Sequence, residues 1–166
     1  MEAAFFENLY EALIEQGLHA IESNNVAKAK KLFEESISIQ PTSEAKTYLA
    51  WIFSQEEEYD QAIELCKQAI KIDPTFGNPY NDIGTYLVAK GQFDNSIAWF
   101  EKAKLAARYT KRDTPYLNLG RLYIRLSNVD QAKREYESLL TFDPDNLEAQ
   151  FILGKFVGNK NGIFSR

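Results

Sequence analysis

The chain has 166 residues, 45% of them apolar and 26% charged, with a formal net charge of −5. That composition belongs to a soluble folded chain and not a disordered one, and its acidic balance disfavours nucleic acid or anionic lipid as the main partner. Cys66 is the single cysteine, which leaves out an internal disulfide framework and a cysteine-rich zinc site.

The opening MEAAFFENLYEALIEQ is acidic and amphipathic, without the basic start and apolar run of a signal peptide. Phe6, Leu9, Leu13 and Leu18 recur at helical spacing there. No apolar run approaches the roughly 20 residues of a membrane-spanning helix. The expected location is therefore cytoplasmic, with no membrane partner.

Further along, NVAKAKKLFEESISIQP (25–41), EYDQAIELCKQAIKIDP (58–74), QFDNSIAWFEKAKLAAR (92–108) and NVDQAKREYESLLTFDP (128–144) share one pattern over seventeen residues each. A small residue (Ala29, Ala62, Ser96, Ala132) is followed four places later by a ring or its stand-in, and three of the four segments end in proline (Pro41, Pro74, Pro144). Asp60, Asp94 and Asp130 fall in the expected first turns, where a carboxylate complements the helix dipole. Between these segments, stretches such as YLNLGRLYIRL put Tyr116, Leu119, Tyr123 and Leu126 on one stripe. No segment alternates with period two long enough to make a strand, so the chain reads as all-α.

Each seventeen-residue segment is preceded by a helix with a small residue at its middle: Gly17, Ala50, Gly84, Gly120 and Gly154, spaced 33, 34, 36 and 34 apart. Glycine inside a helix costs about 1 kcal/mol against alanine. The rhythm therefore predicts close helix approach, with bulky residues such as Phe33, Phe53, Tyr59, Phe93, Phe100, Tyr123 and Tyr136 filling the space. A helix-turn-helix unit of about 34 residues cannot bury its apolar face alone, so the units stack.

These residues resemble the tetratricopeptide repeat family. YNDIGTYL (80–87) and YLNLGRLY (116–123) are similar to its aromatic-x-x-Leu-Gly-x-x-Tyr segment, and AKKLF, AIELC, SIAWF and AKREY to its Ala-x-x-x-Phe segment. Cys66 replaces a ring, Arg108 stands at the third proline position, and Gln16 stands where leucine is usual. The third unit is two residues longer, and EKAKLAARYTKRDTP reads as its second helix extended before Pro115. The resemblance implies a right-handed α-solenoid, a superhelix of antiparallel helix pairs, forming one array over residues 1–166. Repeats are expected at about 10–42, 43–76, 77–112 and 113–146, then a capping helix at 147–157 and a tail at 158–166. Helices of ~20 Å are expected at 1.5 Å per residue.

Nothing points to catalysis. His19 has no histidine or cysteine nearby, Cys66 takes a core position, and the carboxylates of EEEYD (56–60) suit a solvated helix start. GNKNG (158–162) lacks the spacing of a phosphate-binding loop. No enzyme activity, cofactor or metal site is expected.

The resemblance further implies that the first helices line a concave groove. Positions there read Ile14 and Leu18, then Tyr48 and Trp51, Asn81 and Thr85, Asn118, Arg121 and Arg125, and finally Lys155. Amides hold a peptide backbone, arginines fork onto carboxylates, and Trp51 takes an apolar side chain. The bland alternative is a solvated face paired locally, for instance Arg121 with Asp82. The family's lysine, asparagine and arginine set for chaperone tails is missing, since Thr47, Trp51, Asp82, Thr114 and Asn118 hold those places.

The leading expectation is a scaffold binding a protein or peptide partner that carries an acidic group. The alternative is a small chaperone or adaptor for a secreted or assembly partner, acting as a homodimer. Phe151, Phe156, Ile163 and Phe164 make the C-terminal end too apolar for an ordinary cap. They are expected to fold back over that end, or to carry self-association or a contact with another domain.

Overall fold

The computed structural model describes the backbone of residues 2–159 and the side chains of residues 9–156. Among the described residues the regular elements are helices: α1 (Glu2–Glu22), α2 (Val26–Ile39), α3 (Ser43–Gln55), α4 (Tyr59–Ile72), α5 (Asn78–Ala89), α6 (Phe93–Leu105), α7 (Thr114–Arg125), α8 (Val129–Leu140) and α9 (Leu147–Asn159). Eight of them run 12–14 residues, about 18–21 Å at 1.5 Å per residue. The exception is α1, at 21 residues; it begins well before the expected start near residue 10.

Local chemistry sets the pairing. Asn25, Thr42 and Asn128 cap their helices by accepting from the N–H of Lys28, Ala45 and Gln131. Each pair turns through one left-handed residue: Asn24 (φ 57°), Glu57 (φ 61°), Gly91 (φ 73°) and Ser127 (φ 57°). α1 then lies against α2, α3 against α4, α5 against α6 and α7 against α8, while α9 rests on α8.

The close approach expected of the small residues is present. A Cβ built on Gly17 would sit 2.5 Å from Phe33, one on Gly84 2.6 Å from Phe100, and one on Gly120 2.6 Å from Tyr136. In the second unit Ala50 and Cys66 are both fully buried in one cluster, so a methyl on one helix is matched by a smaller partner on the other. Gly154 differs, because a Cβ there would meet nothing within 4 Å among the described residues.

One expectation is overturned. The third unit's second helix is not extended; it stops at Leu105, and residues 106–113 form a loop. Arg108 N–H donates to the Thr75 carbonyl (2.9 Å) and Gly77 N–H to the Arg108 carbonyl (3.0 Å), a short parallel bridge between two inter-unit loops. The Arg108 guanidinium forks onto Asp73 (3.0 and 2.6 Å) and reaches Glu44 (2.6 Å). Tyr109 lies directly on Gly77. The two extra residues supply a tie from the third unit to both helices of the second, which a continued helix would not supply.

Successive first helices touch, α3 to α5 and α5 to α7, whereas no comparable contact joins α4 to α6 or α6 to α8 among the described residues. The array therefore bends toward its first helices, and α1, α3, α5 and α7 line its inner face. None of the described helices is long and apolar enough to cross a membrane.

Candidate functional site: the inner groove

One cleft of the inner face lies between α5 and α7. It is a cleft of about 190 Å³ with an apolar floor of Val88, Phe100 and Leu122 and a rim of Thr85, Asn118, Arg121 and Arg125. Four of the residues expected to bind a partner are thus brought together. The third-unit ring, Phe100, contributes both to the Gly84 crossing and to the cleft floor.

The rim groups differ in freedom. Asn118 Nδ2 donates to Asn81 Oδ1 (2.9 Å), so these two amides hold each other, and Asn81 is buried. The Thr85 hydroxyl donates to the Asn81 carbonyl (3.1 Å). Arg121 is committed: Nε donates to Glu148 Oε1 (2.7 Å) and Nη2 to Oε2, and the Tyr136 hydroxyl also reaches Glu148. The local pairing anticipated for Arg121 therefore exists, but with Glu148 of α9 and not with Asp82. That pairing holds the Glu148 carboxyl below its ordinary range. Arg125 lies over the Phe93 ring at 4.4 Å and meets no carboxylate in an ion pair among the described residues.

Asp82 sits on the α3 side of α5, near Cys66, Tyr86 and Tyr109. Burial pushes its carboxyl up to about 7, with a hydrogen bond from Asn81 opposing the rise. The same burial raises the Cys66 thiol, which makes it a poor nucleophile. His19 is exposed and lies 3.2 Å from Glu22. The carboxylates of the 56–60 turn are partly paired outward, Glu56 with Lys30 (2.7 Å) and Asp60 with Lys90.

Toward the N-terminal end, a second cleft of about 360 Å³ lies between α1 and α3. Tyr48 and Ile14 line it as expected, but so do Glu11, Glu15 and Glu44. Those carboxylates are not among the expected groove positions; their spacing along α1 (Glu11, Glu15) is the signal that places them beside Ile14. Tyr48 stacks on Phe33 (5.4 Å, 27°). Trp51 and Leu18 are half-buried against the first-unit core, so each offers one face at most. At the other end, Lys155 is exposed and its ammonium lies 4.3 Å over Phe151. Of the tail residues singled out, Ile163 and Phe164 lie outside the described residues, whereas Phe151 is 61% exposed.

The family model described as "Tetratricopeptide repeat" matches residues 43–76, 78–109 and 114–146, more than half the chain. The chain belongs to the tetratricopeptide repeat family. Its first unit, outside those matches, shows the same Gly17–Phe33 crossing. Among curated relatives, the type IV pilus assembly protein PilF of Pseudomonas aeruginosa is 26% identical over 131 residues, covering 78% of this chain and 52% of that protein. The protein ycf37 of Guillardia theta is 33% identical over 119 residues, covering 66% of this chain and 64% of that protein. A small glutamine-rich tetratricopeptide repeat-containing protein of Mycosarcoma maydis is 31% identical over 93 residues, 55% of this chain and 26% of its own length. The chain thus spans from about a quarter to under two thirds of these relatives.

Among solved structures, Pseudomonas aeruginosa PilF superposes with a TM-score of 0.84 at 21% identity, covering 94% of this chain and 71% of that one. MamA gives 0.71 at 19% identity, with 87% and 84% covered. PilW, titled a type IV pilus biogenesis factor, gives 0.75 at 20%, with 84% and 64% covered. At those identities the likeness is one of fold: an all-α, right-handed solenoid. Proteins of this family generally serve as protein-interaction scaffolds.

Proposed function

We propose that this protein is a non-catalytic scaffold that holds an extended peptide or protein segment across its first helices. The observation that carries the reading is the α5–α7 cleft, where Thr85, Asn118, Arg121 and Arg125 rim an apolar floor. Arg125 is the recognition cation, because its guanidinium is oriented by Phe93 and spends no hydrogen bond on a carboxylate among the described residues. A partner acidic group placed there is bound by a partly desolvated charge, while an apolar side chain fills the floor. Tyr48 and Trp51 provide the aromatic end, Asn81 supports Asn118 from beneath, and Lys155 extends the basic end.

The test uses peptides selected on the wild-type protein from a random twelve-residue display library, with affinities measured by calorimetry. Arg125→Glu is the clean variant, since Arg121→Glu would also set two carboxylates together at α9. The expected result is a loss of at least tenfold with Arg125→Glu and a smaller loss with Trp51→Ala. Unaltered affinity in both variants removes the groove reading.

A second reading, an adaptor or chaperone for an assembly partner acting as a homodimer, draws on two observations. PilF and PilW are named for pilus assembly and biogenesis. In addition, no described residue covers Gly154 where Gly17, Gly84 and Gly120 are each covered by a ring, with Phe151 and Leu147 exposed on the same helix. Sedimentation across a concentration series tests this reading. A dimer dispersed by Phe151→Glu supports it, and a monomer at every concentration counts against it.

A further inference from the structure

The bend that brings the first helices together spreads the second helices apart, and the gap between α4 and α6 is not filled. It forms an outer trough of about 390 Å³, lined by Ile70, Pro74, Tyr80, Trp99, Lys102 and Leu105 among others. That volume lies within the roughly 300–1,000 Å³ of ordinary ligand clefts. Ile70 and Trp99 rest on the second-unit core and form the floor. Tyr80 is fixed against Trp99 (ring centroids 6.2 Å apart), with its hydroxyl donating to the Pro74 carbonyl (3.0 Å). Leu105, the last residue of α6, is 85% exposed at the lip. A large aliphatic side chain so exposed beside a half-buried tryptophan is a contact surface without a cover.

The charged side chains beside the trough that lack an ion pair include three lysines. Following helical spacing from Ile70 and from Trp99, each stripe adds a lysine, Lys67 and Lys102. Lys102 holds its ammonium 4.3 Å over the Trp99 ring, and Lys71 follows beside Ile70. None of these three lysines meets a carboxylate in an ion pair among the described residues. Of the neighbouring carboxylates, Asp73 just beyond α4 is held by Arg108, and Glu64 on α4 accepts from Gln68. On a chain of net charge −5 this is a local basic, apolar strip.

We propose that the α4–α6 trough is a second docking surface, distinct from the inner groove, for an acidic amphipathic segment of a partner protein. Aliphatic side chains of that segment lie on Trp99 and Leu105, and its carboxylates reach Lys67 and Lys102. Charge complementarity selects this occupant: a basic segment would set cations against three unpaired lysines, and a purely apolar one would bury their ammonium groups without partners.

The probe is an eighteen-residue helix-forming peptide with leucines on one stripe and glutamates flanking it. A matched peptide carries lysines in place of the glutamates. Binding is read by polarisation and by Trp99 emission in a Trp51→Phe background, which leaves one tryptophan. The expected result is a saturable blue shift, with the glutamate peptide binding at least tenfold tighter than the lysine peptide. Leu105→Asp and the Lys67→Glu, Lys102→Glu pair should each weaken it at least tenfold, while Arg125→Glu leaves it unchanged. Those side chains are exposed, so the variants fold, which the helical circular dichroism signal verifies. Equal binding of the two peptides, or no response to these variants, overturns the proposal. So does a wild-type dimer dispersed by Leu105→Asp, which would give the trough to a second copy. Loss of inner-groove binding in the display experiment touches none of these readouts.

Discussion

Gly120→Ala and Gly154→Ala are the same substitution at equivalent positions of successive units, and the structure assigns them opposite signs. At Gly120 the added methyl would lie 2.6, 2.7 and 3.1 Å from three carbons of the Tyr136 ring. That ring has no exposed surface, and its hydroxyl reaches Glu148 (3.4 Å), so it has little room to yield. Overpacking of this kind costs about 1–3 kcal/mol, against about 1 kcal/mol gained from alanine's helix propensity. With a rigid neighbour the net is a loss of up to about 2 kcal/mol, and larger for Gly120→Leu. At Gly154 nothing lies within 4 Å among the described residues, so only the propensity gain remains, about 1 kcal/mol of stabilisation. Urea unfolding followed by circular dichroism measures both, provided the slope m is unchanged. If both variants shift the midpoint in the same direction, the glycine rhythm is not about ring contact.

Glu57 holds φ 61° at an exposed turn, so Glu57→Gly should stabilise by about 0.5–1 kcal/mol in the same assay. Asp73 is held at about 2, first by its hydrogen bond from Thr75 and then by Arg108. Its stabilising contribution is complete above the ordinary carboxyl range near 4 and is lost as pH falls through about 2. Arg108→Ala should therefore be less stable than wild type at pH 7, with the gap narrowing between pH 4 and 2.5; a gap constant across that range would place the arginine's effect elsewhere. Asp82 is the reverse case, raised to about 7 by burial. Its folded form keeps the proton that the unfolded chain releases near pH 4, so its ionisation destabilises the fold progressively between pH 4 and 7. At 1.36 kcal/mol per unit over roughly three units, Asp82→Asn should gain about 2–4 kcal/mol at pH 8 and little at pH 4. Denaturation at the two pH values checks it.

What the sequence revealed and what it hid divide along a physical line. The helix pairs, their turns and the ring-on-glycine crossings were legible, because each depends on spacing within one unit. The Ala50–Cys66 pair shows this well: both residues are visible in sequence at the crossing positions, and an added methyl on one helix meets a smaller side chain on the other. The loop at 106–113 was misread as helix because KLAARYTKR carries good helix formers. Arg108 answers to Asp73 and Glu44, residues 35 and 64 positions away, and no local pattern reports a tie of that range. The carboxylate that pairs with Arg121 was hidden for the same reason. Its partner Glu148 lies on α9, and spacing alone does not say which neighbouring helix supplies the carboxylate. The free state of Arg125 was equally hidden, since it depends on Phe93 from the adjoining helix of the preceding unit. The outer trough follows from the curvature of the array, which no single repeat encodes.

The central claim is that the inner face, at the α5–α7 cleft, is where a partner segment binds. Amide and methyl NMR of the protein titrated with the strongest display-selected peptide tests it most directly. The account predicts shift changes concentrated at Thr85, Val88, Asn118, Leu122 and Arg125, shrinking with added salt as a charge contact should. Changes confined to α4, α6 or α9, with these five residues unmoved at saturation, would contradict it.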